Sequence, residues 1–117
     1  MALDEQTQQL AAKVNHEVNV ALANFYGDDP KTPWDKLTED EKHHCFVSVK
    51  AISDNPKITP SEIHEIWMKD RLEDGWRYGP VLDHVKKTSP CITNYIELSD
   101  KDKMKDHLFI AIVKAFL

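Results

Sequence analysis

The stretch from Ile63 to Pro90 concentrates side chains that could contact a ligand. It contains three large aromatic rings and several cations: Trp67, Trp76, Tyr78, Arg77, Lys86 and Lys87. Aromatic faces can stack on a nucleobase, and cations can pair with phosphate. Asp106, further along the chain, adds an acceptor for an amine or hydroxyl group. These residue types favour a nucleotide site, and the alternative is an ordinary core with a solvated loop.

Six histidines and two cysteines raise the question of metal binding. His43, His44 and Cys45 are consecutive, so on a helix they point in different directions and cannot jointly bind one ion. His64-Glu65 begins like a His-Glu-x-x-His motif, but Met68 stands where the second histidine would be. We therefore expect no metal ion and no cofactor.

A catalytic nucleophile is the next possibility, and Cys91 is the best candidate because it follows a proline in a loop. His64 or His84 could lie near it, but nothing in the sequence orients either one, and a small buried thiol is the commoner interpretation. Three glycines are too few for a phosphate-binding glycine loop. We expect that the protein is not an enzyme.

The same stretch carries two motifs, H-E-x-W at residues 64–67 and G-W-x-Y-G-P-V at residues 75–81. They are followed by further matching positions: Lys87, Pro90, Cys91, Tyr95 and Leu98. In this order they resemble the ryanodine receptor repeat (RyR) domain, of the stand-alone type found in bacteria and phages. The similarity extends from His16 to Leu117, so residues 1–117 are interpreted as one domain. The chain departs from the family pattern at Ser89, where the family usually has a histidine.

The resemblance implies binding of a nucleotide-derived small molecule: an ADP-ribose derivative, a cyclic oligonucleotide or an adenine nucleotide. It also implies a role as sponge or sensor in antiviral defence, with Trp67 and Asp106 facing the ligand. Together with the residue types, it defines the candidate ligand-binding set: His64, Trp67, Trp76, Arg77, Tyr78, Lys86 and Asp106. The alternative function is a protein–protein interaction module that binds no small molecule.

The resemblance also bears on assembly, because RyR repeats in the channels occur as tandem pairs about an approximate two-fold axis. This chain has one copy, so Ile63 and Ile66 beside Trp67 would be left partly open. A homodimer can cover such a surface, because one patch then serves both subunits. We therefore expect a homodimer with the pocket near its two-fold axis.

Length and composition describe one soluble globular domain: 117 residues, 41% hydrophobic and 30% charged. No apolar run is long enough to span a membrane, and the polar start is unlike a signal peptide, so we expect a cytoplasmic protein without membrane contact. Two cysteines make no disulfide framework. The net charge of −5 argues against binding to a nucleic-acid polymer.

The predicted fold is mainly α, with four helices. Apolar spacing predicts the first helix from about Asp4 to Phe25, with this buried face: Leu10, Val14, Val18, Ala21, Leu22 and Phe25. Thr38 and Thr59 each have a glutamate three positions later, which is the capping-box pattern that begins a helix. Ser99 is a third cap, at the start of the last helix.

The remaining segments are less regular. Gly75 ends the third helix, which begins near Pro60, and Val81 to Tyr95 shows no helical period. We predict an irregular loop or short β-hairpin there, between the third and fourth helices. Trp34, in an earlier loop, is predicted to fill the core. The last helix is predicted to bury a wide apolar face: Met104, Leu108, Ala111, Ile112, Ala115 and Phe116.

Overall fold

A computed structural model describes residues 2–117. Four helices dominate it: α1 (Glu5–Tyr26), α2 (Glu39–Asp54), α3 (Pro60–Glu73) and α4 (Asp100–Lys114). Short 3₁₀ helices, Trp34–Lys36 and Tyr95–Glu97, precede α2 and α4. Two strands of two residues each, β1 (Arg77–Tyr78) and β2 (Thr88–Ser89), lie between α3 and α4. The predicted mainly α fold of four helices is therefore confirmed.

The predicted helix starts form the hydrogen bonds that their sequences require. Thr38 Oγ1 accepts from the backbone N–H of Glu41 at 3.1 Å, and the Glu41 carboxylate accepts from the Thr38 N–H at 3.0 Å. Thr59 and Glu62 repeat this capping box at the start of α3. The Ser99 hydroxyl accepts from the third N–H of α4 at 3.2 Å. Such bonds satisfy N–H groups that have no partner inside the helix.

The helices pack around one hydrophobic core, in which α1 contacts both α2 and α4. Its innermost side chains are Val49, Ile52 and Val113, each 0% exposed. Trp34 fills the space beside Phe46, with ring centroids 6.0 Å apart, and is 7% exposed. The prediction that Trp34 is a core residue is therefore confirmed.

The predicted buried face of α1 is mostly wrong, since only Val18 and Leu22 of its six side chains are half-buried. Leu10 and Val14 are 51% and 36% exposed, and Phe25 is 82% exposed. The helix instead buries Ala11 at 0% and Ala12 and Ala23 at 2% each, whereas Ala21, which was on the predicted face, is exposed. Ala11 and Ala12, rather than the larger apolar side chains of this helix, belong to the hydrophobic core.

The predicted apolar face of α4 is only partly right. Ala111 and Ala115 are exposed, whereas Val113, which was not on the predicted face, is fully buried. Phe116 packs against the core as predicted. α4 contacts α1, α2 and α3, and Val113 is its side chain in the shared core.

The segment between α3 and α4 is neither a loop alone nor a simple hairpin. Gly75 ends α3 with a φ of +91°, as predicted, since glycine adopts this conformation without strain. β1 and β2 then pair in parallel, with Tyr78 opposite Ser89, and Asp83 forms an antiparallel bridge to Thr88. A hairpin would pair its strands antiparallel, so the chain must instead loop back before β2 begins.

Two details hold this loop closed. A Cβ atom on Gly79 would lie 2.6 Å from Thr88 Cβ, so only glycine allows β1 and β2 to approach here. Ser89, at the position where the family usually has histidine, is 6% exposed, and its hydroxyl accepts from the Cys91 N–H at 3.1 Å. Ser89 therefore supports the turn that follows β2.

Candidate functional site

The structure brings His64, Trp67 and Asp106 together between α3 and α4. The His64 and Trp67 rings lie one helical turn apart and stack, with centroids 5.6 Å apart and planes at 26°. α4 packs beside these two rings, and Asp106 on this helix has its Oδ2 atom 3.9 Å from His64 Nδ1. These three members of the predicted set therefore form one cluster, which we call the Trp67 cluster.

The orientation of the His64 ring follows from its second nitrogen. His64 is 3% exposed, and its Nε2 lies 2.7 Å from the Thr93 carbonyl oxygen. Because a carbonyl oxygen only accepts, Nε2 must carry the hydrogen and donate it. In the neutral ring, Nδ1 is then an acceptor that faces Asp106. The imidazole thus holds the Trp67 ring from one side and the Asp106 carboxyl from the other.

Asp106 has the most unusual acidity in the cluster. Burial raises its pKa from 3.8 to about 7, and the neighbouring Asp102 carboxylate adds to this effect. Near neutral pH the carboxyl is therefore a mixture of protonated and ionised forms. The protonated form can donate a hydrogen bond, and the ionised form only accepts. A perturbed carboxyl beside an aromatic ring is typical of functional sites, although structural networks also produce it.

Arg71 connects Trp67 with Trp76, a role that the sequence analysis missed. Its guanidinium carbon lies 5.8 Å from the centroid of the Trp67 ring and 5.7 Å from that of Trp76. The Arg71 Nε atom is inaccessible to solvent and has no hydrogen-bond partner within residues 2–117. A signal was present, because Arg71 follows Trp67 by four residues and so shares its helix face.

Trp76 itself is mainly a structural residue. It is 7% exposed and meets the His84 ring edge-on, with centroids 5.6 Å apart. Its remaining face receives the guanidinium of Arg71. Of the two uses foreseen for this ring, packing onto adjacent elements is the one that the geometry shows, and its link to Trp67 runs through Arg71.

Two lysines that the sequence analysis did not select add positive charge on the same side. Lys31, in the loop after α1, is exposed. Desolvation by the protein around it nevertheless lowers its pKa, and the like charges of Lys105 and Arg71 lower it further. Three cations from three separate segments therefore act on one another close to the Trp67 cluster.

Cys91 lies in the same region. Burial raises its pKa to about 11, and the Asp102 carboxylate contributes to the rise. At neutral pH the thiol is therefore almost entirely protonated, and a protonated thiol is a poor nucleophile. Cys45 is also a free cysteine, and burial raises its pKa as well.

The other members of the predicted set are exposed on the segment between α3 and α4. Arg77 donates from Nη1 to the Trp76 carbonyl oxygen at 2.7 Å. Tyr78 is 62% exposed, and Lys86 is exposed in the loop between the strands. No hydrogen bond, ion pair or ring contact described for residues 2–117 joins these three to Trp67 or Asp106. Lys87 is structural, since its Nζ donates to the Asp74 carbonyl oxygen at 2.8 Å.

Ile63 and Ile66 do not form the open surface that was expected beside Trp67. Ile63 is 1% exposed and lies in the core, and Ile66 is half-buried against it. The core of α3 is therefore covered within a single chain. Large exposed apolar side chains are found elsewhere, on α1 at Leu10 and Phe25 and in the loop at Val85, which is 94% exposed.

Grooves and possible metal ligands lie away from the Trp67 cluster. A groove of about 510 Å³ runs between α1 and α2 past Trp34, and one of about 430 Å³ lies between α2 and α3 near Ile58. Neither groove includes a residue of the predicted set. We place the candidate site at the Trp67 cluster because the aromatic, acidic and cationic groups converge there. Within residues 2–117, the ligand atoms of Asp40, His44 and Asp74 lie close enough together to hold a metal ion, outside this cluster.

Comparison with known families identifies the domain. The RyR domain matches residues 57–116, from just before α3 to the last turn after α4. The match contains the Trp67 cluster, Arg71 and the whole segment between α3 and α4, and it covers more than half of the chain. The chain belongs to the RyR domain family. Within residues 2–117, no helix combines the length and the apolar character needed to cross a membrane.

Proposed function

We propose that this RyR domain binds a nucleotide-derived small molecule at the Trp67 cluster without transforming it. The ligand classes are an ADP-ribose derivative, a cyclic oligonucleotide and an adenine nucleotide. The observation that carries the proposal is the convergence of the Trp67 ring, the Arg71 guanidinium and the Asp106 carboxyl. The match to the RyR domain supports the fold on which this site is built.

Each group has a distinct task in this proposal. The half-buried Trp67 ring stacks on the base, with His64 supporting its other side. Asp106, whose pKa is raised to about 7, donates to a ring nitrogen when protonated and accepts from an exocyclic amine when ionised. Arg71, Lys31 and Lys105 pair with phosphate, which relieves the repulsion among three like charges.

The biological role in this proposal is that of a sponge or a sensor for a signalling nucleotide in phage–bacterium defence, acting in the cytoplasm. Binding without turnover is supported by Cys91, because a thiol with a pKa of about 11 gives almost no thiolate at neutral pH. The homodimer remains part of the proposal. The exposed apolar side chains that such a dimer would cover lie on α1, such as Leu10 and Phe25, rather than on α3.

A thermal-shift screen tests the proposal, with ADP-ribose, cyclic oligonucleotides and ATP as probes. A probe at one hundred times its dissociation constant stabilises the fold by about 2.7 kcal/mol. Trp67→Ala should then weaken binding by roughly 1–3 kcal/mol, the usual contribution of one stacked base. Val85→Ala is the control, because Val85 is 94% exposed in the loop between the strands, outside both the Trp67 cluster and the proposed dimer surface on α1. Equal loss in both variants would contradict the assigned site.

Salt dependence tests the phosphate contacts. If Arg71 and Lys105 bind phosphate, affinity falls as ionic strength rises, and Arg71→Gln or Lys105→Gln flattens that dependence. Lys69→Gln is the control, since Lys69 is exposed on α3, the helix that carries Arg71. Binding that is independent of salt would exclude a role for these cations.

A protein–protein interaction module is the second candidate, favoured by the exposed apolar side chains. Phe25, Val85 and Ile96 are 82%, 94% and 79% exposed. The thermal-shift screen separates the candidates, because an interaction module responds to none of the small molecules. Chemical conversion of a bound probe, followed by chromatography, would instead indicate an enzyme.

A further inference from the structure

His44 is surrounded by three aspartates from two helices. Asp40 lies one turn earlier on α2, and Asp70 and Asp74 lie at the end of α3. His44 Nδ1 is 2.7 Å from Asp70 Oδ2, while His44 Nε2 is 3.7 Å from Asp40 Oδ2 and 3.5 Å from Asp74 Oδ2. The helix spacing of four residues places Asp40 and His44 on one face, and the packing of α3 against α2 supplies the other two carboxylates.

The hydrogen bond to Asp70 decides which His44 nitrogen is free. An ionised carboxylate only accepts, so Nδ1 carries the hydrogen and donates it to Asp70. In the neutral ring, Nε2 then presents a lone pair toward Asp40 and Asp74. This atom is inaccessible to solvent and has no hydrogen-bond partner in residues 2–117. A buried polar atom without a partner is uncommon and requires an explanation.

The spacing of three atoms, Asp40 Oδ2, His44 Nε2 and Asp74 Oδ2, matches a metal site. Ligands that lie about 2.0–2.2 Å from a tetrahedral ion are roughly 3.3–3.6 Å from one another. The two distances from His44 Nε2 are 3.5 and 3.7 Å, and all three atoms lie within 4.8 Å of one another. Asp40 is 83% exposed and can move, so it can complete the site by a small side-chain rotation.

The charges around His44 also favour a cation. Three carboxylates, on Asp40, Asp70 and Asp74, surround one imidazole, and the Lys87 ammonium lies 3.3 Å from Asp74 Oδ2. Negative charge therefore remains on the side of Asp40 and Asp70.

We propose that Asp40, His44 and Asp74 bind one divalent transition-metal ion, such as Zn²⁺, with Asp70 as a positioning residue. Imidazole and carboxylate are ordinary ligands of Zn²⁺, and three protein ligands leave a position for water. A carboxylate that accepts from the outer nitrogen of a metal-binding histidine fixes the tautomer and the ring orientation. The ion links α2 to the end of α3, next to Arg71 and to the turn at Gly75.

This site differs from the one that the sequence analysis excluded. His43, His44 and Cys45 do point in different directions, and only His44 takes part. The partners of His44 lie one turn earlier on α2 and at the end of α3, and no local sequence motif contains such a combination. The competing explanation for the same geometry is a protonated His44 held by three carboxylates, without an ion.

Metal binding by the full chain, freed of any affinity tag and of metal, distinguishes these explanations. Equilibrium dialysis against Zn²⁺ and the visible spectrum of Co²⁺ give stoichiometry, affinity and coordination. We expect one ion per chain, with affinity at least about tenfold lower in Asp40→Asn and His44→Gln. Glu39→Gln, which removes a charge from the same helical turn at a 94% exposed position, should bind like the wild type.

The positioning role of Asp70 has its own readout. Loss of such an outer partner typically lowers metal affinity about 10- to 100-fold, so Asp70→Asn should weaken binding while still giving a histidine-dependent Co²⁺ spectrum. If His44→Gln does not fold, the exposed Asp40 still provides the test. The proposal is overturned if neither ion binds one to one, or if Asp40→Asn binds as tightly as Glu39→Gln.

Discussion

Replacing Asp106 by asparagine should stabilise the protein, and the gain should grow as pH rises. Burial raises the pKa of this carboxyl from 3.8 to about 7. Between these two values the folded chain holds a proton that the unfolded chain has released. The wild type therefore loses stability as pH rises through this window, and the loss is complete above about pH 7. Asparagine resembles the neutral acid in size and never carries the buried charge.

The magnitude follows from the difference in pKa. At about 1.4 kcal/mol per pKa unit, a rise from 3.8 to about 7 corresponds to roughly 4 kcal/mol. The Asp106 side chain is 20% exposed, so water screens part of this cost. After this discount we expect roughly 2–4 kcal/mol in total, of which about 1–3 kcal/mol develops between pH 5 and pH 8.

Urea denaturation at several pH values between 5 and 8 measures this effect as the difference between Asp106→Asn and the wild type. In this difference, the contributions of the other titrating groups to stability cancel, because both proteins contain them. The exceptions are the groups that face Asp106: His64, Tyr95 and Asp102. Carboxyls whose pKa is lowered, such as Asp28 and Asp74, contribute stability that is already fully present above pH 5.

Asp100→Asn is the matched control, because Asp100 is an exposed carboxylate in the first turn of the same helix. Its difference from the wild type should not change between pH 5 and pH 8. If the Asp106→Asn difference is equally flat, Asp106 ionises like an ordinary surface carboxylate. Its proposed role as a hydrogen-bond donor at neutral pH would then be wrong.

Three further outcomes are expected around the segment between α3 and α4. Gly79→Ala should destabilise the fold by about 1–3 kcal/mol in urea, because its Cβ would lie 2.6 Å from Thr88 Cβ; unchanged stability would contradict this close approach. Trp76→Ala should cost about 3–5 kcal/mol, and Tyr78→Ala, at a 62% exposed position, less than about 0.5 kcal/mol; similar losses would show that Trp76 is not structural. Cys91, whose pKa is about 11, should react slowly with a disulfide reagent at pH 8 and faster at higher pH. Rapid reaction at pH 8 in the folded protein would refute its burial.

The helix starts could be predicted from sequence because their bonds join residues only three positions apart. Thr38 and Thr59 each find their glutamate within one turn, whatever the rest of the chain does. Gly75 ends α3 for an equally local reason, its positive φ. The motif around Trp67 and Gly75 was likewise enough to indicate the RyR domain, which the match to residues 57–116 confirms.

The tertiary structure alone decided which faces are buried and which distant groups meet. The first helix buries the small side chains of Ala12 and Ala23 and leaves Phe25 82% exposed, which its apolar spacing did not predict. Lys31, Arg71 and Lys105 are far apart in the sequence, so no local sequence pattern predicts that their charges act on one another.

The cluster around His44 also depends on packing, because Asp40 precedes it by four residues, whereas Asp74 follows it by thirty, just after the end of α3. A local pattern records only neighbours within a turn or two of the chain. The distance between two helices, and the rotation of each about its axis, come from packing side chains of different sizes into one core. These two quantities place a carboxylate of α3 beside an imidazole of α2.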